Sequence, residues 1–392
     1  MNNVFRISHL SAGFIAVLVG YTSSVAIIFQ AASAVGATPA QLNSWMWALG
    51  IGMGASCIGL SLRYRSPVLT AWSTPGAALL ATSLSGLDMG QAIGIFLFSS
   101  LLITLSGVTG WFQKLMQYMP RHIAAAMLAG ILLRFGMDLF IAMQSRWALT
   151  GIMFLAYLAG RLWLPRYTVP VALAAGSIAA VALGLVHTDT LSWAIAWPEF
   201  TMPRFSWQAL LGVGLPLFVV TMTSQNIPGL AVLRANGYQT PASPLISWTG
   251  LTGLVLAPFG GYAFNLAAIT AAICMSPDAD PNADQRYKAS VWAGTFYLLT
   301  GVFGASVVAL FAAFPKELVA AIAGLALLGT IGNSLSAALA DEHGREAALV
   351  TFMATASGLV LLGIGSAFWG LILGMTVHWA LCGMRRRSRP TI

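Results

Sequence analysis

The chain carries little charge. Asp, Glu, Lys and Arg make up 8% of its 392 residues, whereas about 25% of the residues of a soluble domain are charged. Hydrophobic residues reach 58%. A membrane-spanning helix needs about 20 apolar residues, so the chain has room for about 14 spans joined by short loops. The composition excludes a soluble domain and predicts an all-α polytopic membrane protein.

Cysteine is scarce, and catalytic motifs are missing. The three cysteines, Cys57, Cys274 and Cys382, show no C-x-x-C spacing, which argues against a disulfide framework and against a metal site. The sequence contains no H-E-x-x-H motif, no phosphate-binding loop and no nucleophile elbow. The apolar run after His9 is also too long for the core of a cleavable signal peptide. We therefore predict neither an enzyme nor a cofactor.

The charge that is present is mostly positive. A net charge of +8 can indicate nucleic-acid binding, but here the basic residues are spread over predicted loops and end in an arginine cluster at residues 385–389. With the N-terminus inside, the outer loops hold Arg146, Arg204 and Lys316, Arg134 lies within a span, and the remaining Lys and Arg residues lie inside. Because basic loops stay in the cytoplasm, both termini are predicted to be cytoplasmic. The expected partner of these loops is the bilayer, not nucleic acid.

The two halves of the chain resemble each other. Residues 107–110 (GVTG) match residues 301–304 (GVFG), and Thr38-Pro39 matches Thr240-Pro241. The matches keep their order, at offsets of roughly 200 residues. Seven elements per half is an odd number, so the repeats 1–205 and 206–392 would insert in opposite directions, as in many secondary transporters. The alternative is that helices rich in Gly and Ala look alike by chance.

Residues 66–80 combine an extended segment with a helix start. Pro67 favours extended geometry in the residue before it, and the following residues favour a strand. Ser73-Thr74-Pro75 then has the pattern of a helix N-terminus, with a hydroxyl cap and a proline in the first turn. Both flanks are hydrophobic enough for a membrane, so this helix is predicted to begin inside the bilayer. Its unpaired N–H groups and positive dipole end would form a site for an anion or a polar ligand.

The counterpart of this stretch lies at residues 258–270. Gly260-Gly261 and the aromatic residues after it suit an extended segment, and Asn265 is a good N-cap residue. The third and tenth elements are therefore predicted to be half strand and half helix, with their helix N-termini facing each other near the midplane. The alternative is a pair of re-entrant or kinked helices that bind no ligand.

Polar residues interrupt the first helix of each half. They are Tyr21, Thr22, Ser23 and Ser24 in the first half, and Thr221, Thr223, Ser224, Gln225 and Asn226 in the second. Pro216 and Pro228 bracket the second group and predict a local unwinding. Hydroxyls within a span either hold helices together or contact a ligand. The amides of Gln225 and Asn226 favour ligand contact or support of the site, because they have more hydrogen-bonding capacity to satisfy.

Arg134 and Asp138 are the clearest charges inside a predicted span. They lie at positions i and i+4 of one helix and can pair. Ionisable residues inside the membrane are functional candidates, so both are candidates for coupling or gating, and a structural ion pair is the alternative. His378 in the last span and His122 at a helix start are further candidates for a proton site. For both histidines, an interfacial position without a function is the alternative.

Four segments carry a resemblance to a known family. They are PVLTAWSTPGAA at 67–78, AAMLAGILLRFG at 125–136, AAITAAIC at 267–274 and GIGSAFWG at 363–370. These segments resemble the benzoate:proton symporter (BenE) family. The resemblance implies a carrier of benzoate or a similar aromatic carboxylate in the bacterial inner membrane, coupled to protons. It also implies the seven-plus-seven inverted-repeat fold of nucleobase and sulfate-type permeases, with a core domain (about 10–118 and 207–312) moving against a gate domain (about 119–187 and 313–384). A homodimer is a further expectation.

The resemblance and the residues together predict a substrate site. In this fold, nucleobase permeases place acidic residues on the eighth and tenth elements, but the matching positions here carry no charge. This argues against a nucleobase and suits an anion. The predicted contacts are the helix starts at Ser73, Thr74 and Asn265, the donors Ser224 and Gln225, the rings of Trp72, Phe264 and Tyr21, and Ser24. The alternatives are a nucleobase or inorganic-anion permease of the same fold, and a membrane protein that does not transport.

Overall fold

The structure is a computed structural model that describes residues 7–111, 120–186, 194–277, 279–362, 364 and 366–387. Several parts of the sequence-based prediction lie outside these residues: Arg6 and Lys114 of the predicted inner loops, the end of the fourth predicted span (112–113), the first part of the connector between the halves (187–193), Asp278, Gly363 and Gly365, and the end of the arginine cluster (388–389). The side chains of Ser23, Arg166, Cys382 and the arginines at 385–387 are also outside the described part.

The first half consists of helices with one short strand. The elements are α1 (Ile7–Ala34), α2 (Pro39–Tyr64), β1 (Thr70–Trp72), α3 (Thr74–Ser83), α4 (Met89–Val108), α5 (Arg121–Trp163) and α6 (Thr168–Ala182). Thr38 and Asp88 form capping boxes with Gln41 and Gln91, which satisfy the free N–H groups at the starts of α2 and α4. Helix α5 covers two predicted spans, and its backbone breaks at Arg146, where φ is −141° and ψ is 57°.

The second half repeats this order. The elements are α7 (Trp207–Arg234), α8 (Ala242–Leu256), β2 (Phe264–Leu266), α9 (Ile269–Met275), α10 (Tyr287–Val302), α11 (Gly304–Ala313), α12 (Lys316–Leu339), α13 (Arg345–Ala356) and α14 (Ser366–Arg387). Helix α7 contains π-helical turns at Leu210–Gly214 and Met222–Asn226. The predicted unwinding between Pro216 and Pro228 is therefore wrong. The extra residue is accommodated by a wider turn, which keeps the helix continuous.

The helices form two groups that meet at α1 and α3. In one group, α2 packs on α10 and α4 packs on α8. In the other, α5 packs on α12 and α13 packs on α14. Glycines allow close approach in both groups: an added Cβ at Gly107 would lie 2.5 Å from the Ser247 nitrogen, and one at Gly324 would lie 2.6 Å from the Phe135 carbonyl oxygen. Small residues at such contacts are typical of helix packing in membranes.

Within the described residues, six helices are long and apolar enough to cross a membrane, or up to eight if each bent pair is counted as one span. The protein is thus a mostly helical protein of the membrane type. This count does not confirm the 14 predicted spans, because several elements are short, merged or interrupted by a strand.

Candidate functional site

Two short strands cross at the centre of the fold. Strands β1 and β2 pair antiparallel, with Thr70 opposite Leu266, Ala71 opposite Asn265 and Trp72 opposite Phe264. Backbone hydrogen bonds extend the pairing at both ends, from the Ser73 N–H to the Ala263 oxygen (3.1 Å) and from the Ala267 N–H to the Leu69 oxygen (2.9 Å). A strand followed by a helix is therefore observed in both predicted elements. The pairing holds the two strand-to-helix junctions together.

Helix α3 begins where the sequence predicts. Ser73 has an extended backbone, and its hydroxyl oxygen accepts a hydrogen bond from the Gly76 N–H at 3.0 Å. This is the usual geometry of a serine N-cap. The Ser73 side chain is fully buried, whereas Thr74 is partly exposed to a cavity in front of the helix start. The structure thus presents Thr74, and not the Ser73 hydroxyl, to that cavity.

Helix α9 begins later than predicted. Its first residue is Ile269, its N-cap position is Ala268, and no side chain caps it. The prediction that Asn265 is the N-cap is wrong, because Asn265 pairs with Ala71 inside the strand ladder and has no helix directly after it. Its side-chain nitrogen donates to the Ala263 oxygen at 3.0 Å, and the residue is fully buried. Asn265 is buried away from the cavity, and its side chain stabilises the turn at Ala263, just before β2.

The adjacent amides of α7 have different roles. Asn226 is fully buried, and its side-chain oxygen accepts a hydrogen bond from the Leu266 N–H at 3.0 Å. Asn226 thus holds β2 in place. Gln225 lies on the cavity side and makes no side-chain hydrogen bond to the described residues. Ser224 also lines the cavity, but its hydroxyl donates to the Val220 oxygen of its own helix. Of the two amides, the Gln225 side chain is therefore the one available to bind a ligand.

An aromatic pair lies beside the strands. The Trp72 indole N–H donates to the Ser24 hydroxyl at 2.8 Å, and the Tyr21 ring meets the Trp72 ring edge-on with centroids 5.0 Å apart. Trp72 and Ser24 line the cavity, while Tyr21 is buried behind Trp72. Because the indole is held by both partners, its ring faces the cavity in a defined orientation.

Phe264 does not lie where its predicted role requires. The ring is buried, and it packs over glycines of α2 and α8: an added Cβ at Gly253 would lie 3.7 Å from the ring, and one at Gly52 would collide with it. Phe264 is absent from the cavity lining. Alternation along β2 turns this side chain into the core, so it fills a gap between helices and does not flank a ligand.

The cavity has a volume of about 1730 Å³ and lies between the two helix groups. Trp72, Thr74 and Gln225 line one side, and Leu128 and Leu327 line the other. The cavity extends to one face of the protein, which we call the basic face because Arg121 and Arg234 line the cavity there. Among the described residues, no Asp, Glu or His lines this cavity. Its charge is positive, which suits an anion.

Comparisons with known proteins identify the family of this chain. Residues 3–380 match the family model BenE, described as a benzoate membrane transport protein. The chain belongs to the BenE family. It is 43% identical over 377 residues to the benzoate membrane transport protein of Acinetobacter baylyi, covering 96% of both chains. It is 52% identical over 380 residues to the inner membrane protein YdcO of Escherichia coli, covering 97% of both chains.

Solved structures with little sequence similarity share the fold of this BenE-family protein. The transmembrane domain of the cyanobacterial bicarbonate transporter BicA aligns with a TM-score of 0.61 at 13% identity, covering 96% of both chains. SLC26A9 aligns with a TM-score of 0.63 at 13% identity, covering 98% of this chain and 66% of that one. At such identities the likeness shows the fold alone.

The charged candidates of this BenE-family protein lie away from the large cavity. Arg134 and Asp138 are both described, and the structure shows no ion pair between them. The His378 ring lies 5.0 Å from the His122 ring, measured between centroids, and His122 Nδ1 lies 3.8 Å from an Asp341 carboxylate oxygen. The two histidines thus meet beside the start of α5, and none of these residues lines the cavity.

Sequence reasoning missed one buried pair. His9 Nε2 lies 2.8 Å from an Asp280 carboxylate oxygen, and both side chains are 1% exposed. The pair links the start of α1 to the loop after α9. The two residues are 271 positions apart, and in the sequence Asp280 is one of several acidic residues in predicted loops. No sequence signal therefore indicated their contact.

Proposed function

We propose that this protein transports benzoate or a related aromatic carboxylate across the bacterial inner membrane by alternating access, with proton symport. The observation that carries this proposal is the large cavity, which brings Trp72, Thr74 and Gln225 together and has no carboxylate in its described lining. Membership of the BenE family supports the substrate class. The alternative substrates are a nucleobase or an inorganic anion.

The cavity residues suit the two ends of an aromatic carboxylate. The start of α3 at Thr74 and the free amide of Gln225 supply donors for the carboxylate, and a helix N-terminus adds a favourable dipole. Trp72 supplies a flat apolar face for the ring, held in position by Ser24 and Tyr21. Ser73, Asn226 and Asn265 act behind these residues, because they hold the strand pair and the start of α3.

The transport cycle follows from the two helix groups. We infer fourteen elements in two inverted repeats, 1–205 and 206–392, with a core (10–118 and 207–312) that moves against a gate (119–187 and 313–384). The basic face is assigned to the cytoplasm, together with both termini, because Lys and Arg concentrate there. The large cavity then opens to the cytoplasm, and the structure represents the inward-facing state. A homodimer remains part of the proposal.

Proton coupling needs a group that titrates. The described cavity lining contains no acidic residue and no histidine. The proton carriers to test are therefore Asp138, His122, His378 and the carboxylate of the substrate itself.

The decisive experiment is uptake of labelled benzoate into proteoliposomes, with and without an inward proton gradient. Liposomes without protein are the control, because neutral benzoic acid crosses bilayers unaided. We expect uptake that is saturable, depends on the protein and is faster with the gradient. Unlabelled uracil and sulfate should not reduce it. Saturable uptake that ignores the gradient would exclude symport. Competition by uracil or sulfate, or uptake no higher than in the control, would overturn the proposed substrate.

Replacing Gln225 with alanine is expected to raise the apparent KM for benzoate about tenfold, because a hydrogen bond to a charged group contributes roughly 1.5–3 kcal/mol. The amount of protein in the membrane should not change, because the Gln225 amide makes no hydrogen bond within the described structure. Gln144→Ala is the matched control, since Gln144 is exposed on α5 and lines neither cavity. Equal KM values for the two variants would remove Gln225 from the site.

A further inference from the structure

A second, smaller cavity lies at the other end of α3. Its volume is about 280 Å³, close to the lower end for ligand pockets, which is about 300 Å³. Thr82 of α3 and Ser85 in the loop after α3 line it, together with Gln208 of α7 and Ser366 of α14. Helix α7 packs on α4 of the first group, whereas α14 belongs to the second group, so the lining comes from both groups. The small cavity therefore lies along the same boundary between the groups as the large cavity.

The two cavities are on opposite sides of the strand crossing. Helix α3 starts at Thr74, in the lining of the large cavity, and reaches the small cavity at Thr82, eight residues or about 12 Å further along its axis. Beyond the small cavity, Asp88 pairs with Arg204 at 3.1 Å on the face opposite the basic face. The small cavity thus lies between the strand crossing and that opposite face.

Arg134 of α5 lines the small cavity. It lies 13 residues after Arg121, about 20 Å along the helix from the basic face. Among the described residues, no carboxylate lies within ion-pairing distance of its guanidinium. A cation at this depth is costly to keep in a membrane and is a functional candidate.

The rest of the described lining suits an anion. It contains hydroxyls, the Gln208 amide and apolar side chains, and it contains no Asp or Glu. A guanidinium binds a carboxylate through two parallel hydrogen bonds, which a lysine ammonium cannot reproduce. A single cation among neutral hydrogen-bonding groups, with no competing carboxylate, matches a monovalent carboxylate better than a cation or a neutral ligand.

We propose that Arg134 and the small cavity form an outer recognition site, which captures the substrate carboxylate from the periplasmic side before the core moves. The inference rests on the proposed function. In the structure Ser85, Arg134 and Gln208 of the small cavity are exposed, so the cavity is accessible from outside the protein. Movement of the core against the gate would widen the small cavity and connect it to Trp72 and Gln225 along α3.

The first test measures the potential at the cavity without any substrate. Ser85→Cys, in a Cys382→Ser background, places a thiol in the cavity lining, while Cys57 and Cys274 are buried. An anionic methanethiosulfonate should label this thiol faster than a cationic one. Arg134→Gln should lower the ratio of the two rates roughly tenfold, and Arg134→Lys should preserve it. Arg146→Gln, an equal charge change on the same helix outside both cavities, should have no effect.

The second test compares the two directions of transport. In right-side-out vesicles, Arg134→Gln should raise the apparent KM for benzoate roughly tenfold, with a smaller rise for Arg134→Lys. In inside-out vesicles the KM should stay within about twofold of the wild type, which also shows that the variant is folded. Three results would overturn this inference: an unchanged KM in right-side-out vesicles, an equal rise of the KM in both vesicle orientations, or a ratio of labelling rates that Arg134→Gln does not change. Absence of saturable transport by the wild type in either orientation would instead overturn the proposed function.

Discussion

Replacing Asp280 with alanine is expected to destabilise the protein by about 3–5 kcal/mol, because it breaks a buried pair and leaves one partner behind. The His9 imidazole would lose its bond through Nε2, and its Nδ1 already has no hydrogen-bond partner among the described residues. Both side chains are 1% exposed, so water cannot replace the lost contact without opening the packing. A lower thermal unfolding midpoint in detergent, and less folded protein in the membrane, would show this loss.

The same loop provides a matched control. Asp284 is exposed and belongs to the same segment, so Asp284→Ala removes an equal charge without uncovering a buried partner. Its midpoint should stay close to that of the wild type. Combining Asp280→Ala with His9→Leu should recover part of the loss, because the unsatisfied imidazole is gone. Equal midpoints for Asp280→Ala and Asp284→Ala would contradict a structural role for the buried pair.

Replacing Gly50 with leucine is expected to separate α2 from α10 and to cost about 3 kcal/mol, the upper end of the usual range for overpacking. An added Cβ at Gly50 would already lie 2.6 Å from the Gly301 nitrogen and 2.8 Å from the Tyr297 oxygen. Both are backbone atoms, so no side chain can move aside. Thermal unfolding and the yield of folded protein measure the effect.

The Gly50→Leu substitution should also impair the candidate substrate site. Helix α2 holds β1, since Thr70 donates to the Met53 oxygen at 3.1 Å and the Thr70 N–H contacts the Cys57 sulfur at 3.1 Å. A displaced α2 would therefore disturb the strand crossing, and benzoate uptake per folded molecule should fall. Gly59→Leu is the control on the same helix, because an added Cβ at Gly59 meets nothing within 4 Å. Equal unfolding midpoints for Gly50→Leu and Gly59→Leu would show that α2 and α10 can separate without a loss of stability.

The site was predicted best where its chemistry is local. The N-cap at Ser73 depends on a hydroxyl, a following proline and an apolar run, all within a few residues, and it is observed as predicted. The cap at Asn265 was predicted by the same rule and is wrong, because pairing with Ala71 across the ladder overrides the local preference. Gln225 and Asn226 are adjacent amides with equal capacity. The π-helical turn and the position of β2 turn Asn226 inward and leave Gln225 beside the cavity.

By itself the sequence determined the class of the protein, its family and the two places where a strand passes into a helix. Scarce charge and long apolar segments exclude a soluble fold whatever the packing, and cap and proline signals act within one turn. The tertiary structure alone decided that His9 meets Asp280, that Phe264 fills the core and that Arg134 faces a cavity. Those outcomes depend on which helices become neighbours across hundreds of residues, and local propensity carries no information about that choice.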